Sequence, residues 1–185
     1  MPTQSTRWFL PSQALKNRID PEALAWLGDE GSLTARLKQR CGDHFSVRVL
    51  DEDWQRPEPS ESRLLGAPVN QKALLRQVHL LCGDELCVYA RSVIPLGTLQ
   101  GKHRRLQHLG DKPLGEYLFT QPNLKRERIE WSRLMPDSPL YRNALPEGGS
   151  GQPIWGRRSL FLIDRKPLLV AEFFLPVLFE GKSHD

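Results

Sequence analysis

Apolar and polar residues alternate with a period of two in several stretches, the pattern of a strand with one buried face. HFSVRVL (44–50) and KRERIEWSRL (125–134) read this way. ALLRQVHLLC (73–82) and ELCVYARSVIP (85–95) are strand-like runs joined by the Gly-Asp of a tight turn, which predicts an antiparallel hairpin. RSLFLID (158–164) and KPLLVAEFFLP (166–176) predict a second hairpin, turning around Asp164-Arg165-Lys166. Helical spacing takes over elsewhere. Asp20 can cap a helix with Pro21 in its first turn, followed by Leu24 and Leu27 at core spacing. Ser32 can cap a second helix, in which Leu33, Leu37 and Cys41 recur at i, i+4 and i+8. Residues 97–119 are again helical in pattern, broken at Lys112-Pro113 because proline cannot continue a helix. Residues 51–70, rich in Pro, Ser and acid, and residues 135–153, rich in Pro and Gly, predict loops, the latter a loop insertion. Hairpins with interspersed helices define an α+β class: one domain over 1–185, on an antiparallel sheet.

Two charges break the strand pattern. Glu172 shares a face with Leu168, Val170 and Phe174, and Arg76 shares one with Leu74, Val78 and Leu80. A charge facing a core costs several kcal/mol unless it is paired or hydrogen-bonded. An open sheet face, a shift of register or a structural Arg76–Glu172 pair would each account for them. So would a cavity for a small, flat, partly apolar acid, with the Arg76 guanidinium gripping a carboxylate and Glu172 exchanging a proton with a hydroxyl. In KPLGEYLF (112–119) the glycine beside Leu114 would let the main chain approach a ligand, or the segment is simply a helix break. In IWGRRSLF (154–161), Trp155 reads as core and Arg157-Arg158 as a solvated strand start, in preference to residues brought toward a pocket.

Composition narrows the classes. With 39% hydrophobic and 26% charged residues among 185, the chain is globular and long enough for a real core. No apolar run approaches the roughly 20 residues of a membrane span, and MPTQSTRWFLPSQ does not resemble a secretory signal. A cytoplasmic protein without stable membrane insertion is expected. The net charge of +4 suits either nucleic acid or small anions. The basic clusters KHRR, KRER and RR are short and carry no nucleic-acid-binding motif, so nucleic acid is not expected as a partner. Cys41, Cys82 and Cys87 match no metal spacing and read as buried thiols; Cys82 and Cys87 flank a turn, but a disulfide is the less expected state in a reducing compartment. The five histidines are scattered, and His103 and His108 are spaced five apart, so no metal is expected.

Taken in order, SLTARL (32–37), LLRQVHLLCGDELCVYARSVIP (74–95), LGDKPLGEYLFT (109–120), IWGRRSLF and KPLLVAEFFLP resemble the chorismate pyruvate-lyase family, over roughly residues 20–178. The resemblance implies a monomeric α+β domain whose helical flaps close over an internal ligand cavity. It implies a carbon–oxygen lyase that works without metal or organic cofactor. Chorismate would give 4-hydroxybenzoate and pyruvate, the first step committed to ubiquinone biosynthesis, with inhibition by 4-hydroxybenzoate. By the same resemblance Arg76 holds the ring carboxylate, Glu172 meets the ring hydroxyl, and Leu114 offers a main-chain contact. Arg76 and Glu172 are then the catalytic pair. Leu33 stands where the family usually has methionine, a change that keeps volume and apolar character. The stretch 135–153 is longer than the family usually shows. The alternative is a non-catalytic effector-type domain that binds a small aromatic acid; such a module needs a DNA-binding partner domain, for which this chain has no motif.

Overall fold

Local chemistry sets most of the element boundaries. In the computed structural model, which describes residues 6–14, 19–146, 149 and 151–179, the Asp20 carboxylate accepts from the Glu22 N–H and Pro21 occupies the first turn of a helix, Pro21–Leu27. It is α2, after the short α1 (Pro11–Ala14). Ser32 accepts from the Ala35 N–H and starts α3 (Leu33–Cys41). The strands are β1 (Trp8–Phe9), β2 (Phe45–Gln55), β3 (Ala73–Cys82), β4 (Glu85–Pro95), β5 (Lys125–Leu134), β6 (Ile154–Ile163) and β7 (Lys166–Phe174). They form one antiparallel sheet in the order β1-β5-β6-β7-β4-β3-β2. Both expected hairpins are present. The β6–β7 turn holds Asp164 and Arg165 at positive φ (48° and 65°), the backbone that a two-residue hairpin requires.

Three expectations change. Residues 51–55 remain in the sheet: a bulge between Val49 and Asp51 shifts the register and β2 continues to Gln55. Residues Pro59–Leu65 form α4, with Pro59 at its first turn, a capping box between Glu58 and Glu61, and Gly66 closing it at φ 64°. Within 135–153, Ser138 caps α6 (Pro139–Ala144), so this stretch is not wholly a loop; residues 147, 148 and 150 lie outside the described residues. His184 and the first five residues, which bear on the expected lack of a signal, also lie outside them.

The sheet is covered on both sides. On one face, α2 and α3 pack on Val78, Leu80, Val88 and Phe174. Beside them α5 (Leu114–Phe119) and a 3-10 stretch, Gly101–His108, pack on Leu74, Ile94, Phe161, Leu168 and Val170. On the other face, α4 covers Leu75, Val93 and Leu169, and α6 covers Tyr89, Ala171 and Phe173. Burial on both faces explains why β3, β4 and β7 read as nearly continuous apolar runs. His103 fastens α5 to the hairpin turn: one ring nitrogen lies 2.7 Å from the Tyr117 hydroxyl, the other 2.9 Å from Asp164 Oδ2. Hydrogen bonds from Lys102, Asn123 and His103 hold the Asp164 carboxyl below the usual carboxylate range.

The cysteines also differ from expectation. Cys41, at the end of α3, is joined to Cys82, at the end of β3, as a disulfide with Cα atoms 5.2 Å apart. Cys82 and Cys87 do lie near each other across the hairpin, as expected, although in register Cys82 pairs with Glu85 and its sulfur is bonded to Cys41. Cys87 is buried, and the three sulfurs lie within 4.8 Å of one another. Reduction, or Cys41→Ser, is expected to cost up to about 4 kcal/mol, the chain-entropy value for releasing a crosslink over a separation of 41 residues. Calorimetry with and without reductant measures it; an unchanged Tm would show that the crosslink does not stabilise the fold.

Candidate active site

The four residues expected to hold ligand meet at one cavity. Arg76, Glu172, Leu33 and Leu114 all line it, together with Val78, Ala90, Ser92, Val170, Phe119 and Phe161 among others. Register explains the convergence. Glu52, Arg76, Ser92 and Val170 form one row across β2, β3, β4 and β7. Val78, Ala90, Glu172 and Arg157 form the next row on the same face. Arg76 and Glu172 thus stand two strands apart and two residues along, with Cα atoms about 12 Å from each other by sheet geometry. Their side chains can bracket a single aromatic ring.

The roof consists of two helix beginnings. Leu33 and Thr34 open α3, and Leu114 and Gly115 open α5, where backbone N–H groups have no partner inside the helix. Gly115 has a packing reason: a Cβ there would come within 2.5 Å of Thr34 Oγ1. The glycine therefore lets the two roof helices meet. The cavity holds about 50 Å³, which is room for about four waters if each needs roughly 10–15 Å³. That is the scale of one flat ring under a closed roof.

The two misplaced charges do not pair with each other. Arg76 is 3% exposed. It donates through Nη1 to Glu52 Oε2 at 2.5 Å and through Nη2 to the carbonyls of Gly110 (2.6 Å) and Lys112 (3.3 Å). These bonds fix the plane of the guanidinium and leave other donors of its five for a ligand. Glu172 instead pairs with Arg157, whose Nε lies 2.7 Å from Oε2. Arg157 is completely buried and also donates to the carbonyls of Trp26 and Asp29 at the end of α2. The expectation that Arg157 and Arg158 lie in solvent is therefore wrong. Arg158 too is buried and is paired with Glu130 at 2.6 Å. Trp155 is half-buried against the core. Alternation along one strand cannot show that a charged side chain has found a partner on its neighbour.

Glu52 and Arg157 are the site residues that the sequence reading misses. Glu52 fell within an expected loop. Arg157 escaped because the expected strand began at Arg158 and turned around Asp164-Arg165-Lys166; the actual two-residue turn pairs Ile163 with Lys166 and so brings Arg157 opposite Glu172. No residue of the cavity forms a metal-ligand group; among the described residues the cysteine trio is the one cluster with suitable spacing, and two of its members are joined.

A sheet covered by helices that close over a pocket, with a fixed cation and a salt-bridged carboxylate among its lining residues, defines a small-molecule site with the chemistry to receive a flat acid. Solved structures with this fold include the effector domain of PhnF from Mycobacterium smegmatis (TM-score 0.57, 14% identity, 80% of this chain and 90% of that one). A GntR-family transcriptional regulator from Enterococcus faecalis also matches (TM-score 0.52, 15% identity, 76% and 98%). At such identities the likeness is one of fold alone. Sequence comparison is more specific. The model of the family described as Chorismate lyase matches residues 3–183. A protein of Methylococcus capsulatus named a probable chorismate pyruvate-lyase is 45% identical, over 83% of this chain and 94% of its own length. One of Azoarcus sp. with the same name is 37% identical, over 96% and 94%. The chain belongs to the chorismate lyase family. The effector-domain alternative is not favoured.

Proposed function

We propose that this cavity is where the chain splits chorismate into 4-hydroxybenzoate and pyruvate. One observation carries the reading: in a chain of this family, Arg76 and Glu172 face one enclosed, ring-sized space from opposite ends. Arg76 takes the ring carboxylate, and Glu172, held by Arg157 through Oε2, accepts from the hydroxyl at the far end of the ring. Backbone N–H groups of Leu33 and Leu114 complete the hold from above.

The chemistry asks little beyond orientation. The ether bond at C3 breaks, the C4 hydrogen is lost, and the enolpyruvyl methylene gains a proton to become pyruvate. The ring becomes aromatic, so the step is strongly downhill and the protein needs only to lower its barrier. Fixing both ends of the ring in a dry site does so by holding the ether in a reactive geometry. The C4 hydrogen leaves either to Glu172 or directly to the enolpyruvyl methylene, a route needing no protein base.

Glu172→Gln separates those routes. Loss of about 10²–10⁴-fold in kcat is expected if the carboxylate moves the proton; a nearly normal kcat would leave it a hydrogen-bonding role only. The parent test is direct: purified protein incubated with chorismate should release 4-hydroxybenzoate and pyruvate in equal amounts. No product, with the fold intact, would end the reading. The closed roof supports slow release of 4-hydroxybenzoate and hence inhibition by it. We further propose that the chain acts as a monomer in the cytoplasm, where reducing conditions would hold Cys41 and Cys82 as adjacent thiols and the crosslink would form only on oxidation. No helix among the described residues is long and apolar enough to cross a membrane.

A further inference from the structure

We infer that Arg126 and Arg157, on the Glu172 side of the cavity, form a subsite for the second carboxylate of chorismate, the one carried by the enolpyruvyl arm and then by pyruvate. This deepens the reading of the cavity as the place of chorismate cleavage and rests on it.

Both arginines project from the sheet face that carries the cavity, directly behind its lining residues Phe161 and Glu172 rather than in the lining itself. Arg126 stands opposite Phe161 in the register of β5 with β6, and Arg157 stands opposite Glu172 in that of β6 with β7. The Arg126 guanidinium lies 4.7 Å from the Phe161 ring centroid and 5.8 Å from that of Phe119, and both rings line the cavity. One connector steadies the pair: Arg126 donates to the Glu30 carbonyl at 2.8 Å, and both arginines donate to that of Asp29.

Three buried polar atoms here have no partner: Arg126 Nε, Arg157 Nη2 and Ser159 Oγ. Ser159 lies between Arg157 and Phe161 on the same strand face. A buried donor left unsatisfied costs about 1–3 kcal/mol, so three together on one wall call for an acceptor. Charge points the same way. Glu172 is the carboxylate paired with Arg157, while the neighbouring Asp29 side chain is engaged by Arg36 at 2.9 Å. Glu30 and Asp29 also attract Arg126 from further off, but among the described residues Arg126 has no ion-paired carboxylate of its own. Burial, and then the nearby Arg157, push the proton affinity of Arg126 down, the signature of a cation that gains from an added anion.

The connectivity of chorismate supplies that anion in the right place. Its ether carbon adjoins the hydroxyl-bearing carbon, opposite the ring carboxylate. With the carboxylate on Arg76 and the hydroxyl on Glu172, the enolpyruvyl arm leaves the ring at the Glu172 end, and the ring orientation that turns it toward β5 and β6 brings its carboxylate to Arg126 and Arg157.

The test is the half-exposed member of the pair, Arg126→Met, which keeps an apolar stem against Phe161 without the charge. Chorismate KM is expected to rise by about 10–100-fold, the loss of one charge-assisted contact, with Arg126→Lys recovering part of it. The Kd of 4-hydroxybenzoate, which lacks the arm, should stay within about threefold by calorimetry, since its contacts are left in place. Equal weakening of both ligands, or of neither, would overturn the subsite while wild-type turnover kept the parent reading intact. A wild-type protein that makes no 4-hydroxybenzoate would overturn both.

Discussion

Arg76→Ala is expected to raise the Kd of 4-hydroxybenzoate by about 10–100-fold, because a charge-assisted hydrogen bond to the ring carboxylate is lost. Chorismate kcat/KM should fall further, by about 10³-fold, since the same contact also fixes the angle at which the ether bond breaks. The surroundings of Arg76 make the result interpretable. Its bonds to Glu52 and to the Gly110 and Lys112 carbonyls end at groups beside the cavity rather than within a sealed core. Glu52 retains 23% side-chain exposure, so water can replace the missing guanidinium and the fold should survive. Arg76→Lys keeps the charge but not the fork, and should recover only a small part of the affinity. Titration calorimetry with 4-hydroxybenzoate measures both variants. An unchanged Kd for Arg76→Ala would remove this residue from the site.

What the sequence discloses here depends on whether a signal is local. Arg76 and Glu172 stand out because each interrupts an apolar face within its own strand, and both line the cavity. The hairpins and the caps of α2 and α3 are equally local and agree with the structure. Leu33 and Leu114 come from family resemblance, since an apolar residue at a helix start carries no signal of its own. Glu52 escapes because DEDWQ looks like a solvated loop; β2 is an edge strand, and an edge tolerates acids that a central strand would not. α4 and α6 were legible in principle. Glu58-Pro59 with Gly66, and Ser138-Pro139, are helix start and stop signals that a count of Pro and Ser obscured. The Cys41–Cys82 bond was not legible, for it joins the end of α3 to the end of β3 across 41 residues.

Arg157→Ala should be the most destabilising single substitution in the site, by about 3–5 kcal/mol. The reason is the asymmetry of a buried ion pair. The two charges have already lost much of their hydration: the Arg157 side chain is 1% exposed and that of Glu172 14%. Together they offset that loss; either alone cannot. The same substitution also strips donors from the carbonyls of Trp26 and Asp29, which close the C-terminal end of α2 and lead into α3. Removing both charges should therefore be milder than removing one. Arg157→Met combined with Glu172→Leu is expected to recover a large part of the stability lost in Arg157→Met alone, although the double variant will not turn over chorismate. Urea unfolding at constant m-value gives the comparison. If Arg157→Ala unfolds at the wild-type midpoint, the pair does not support the sheet, and Glu172 must be held in the cavity by something other than this guanidinium.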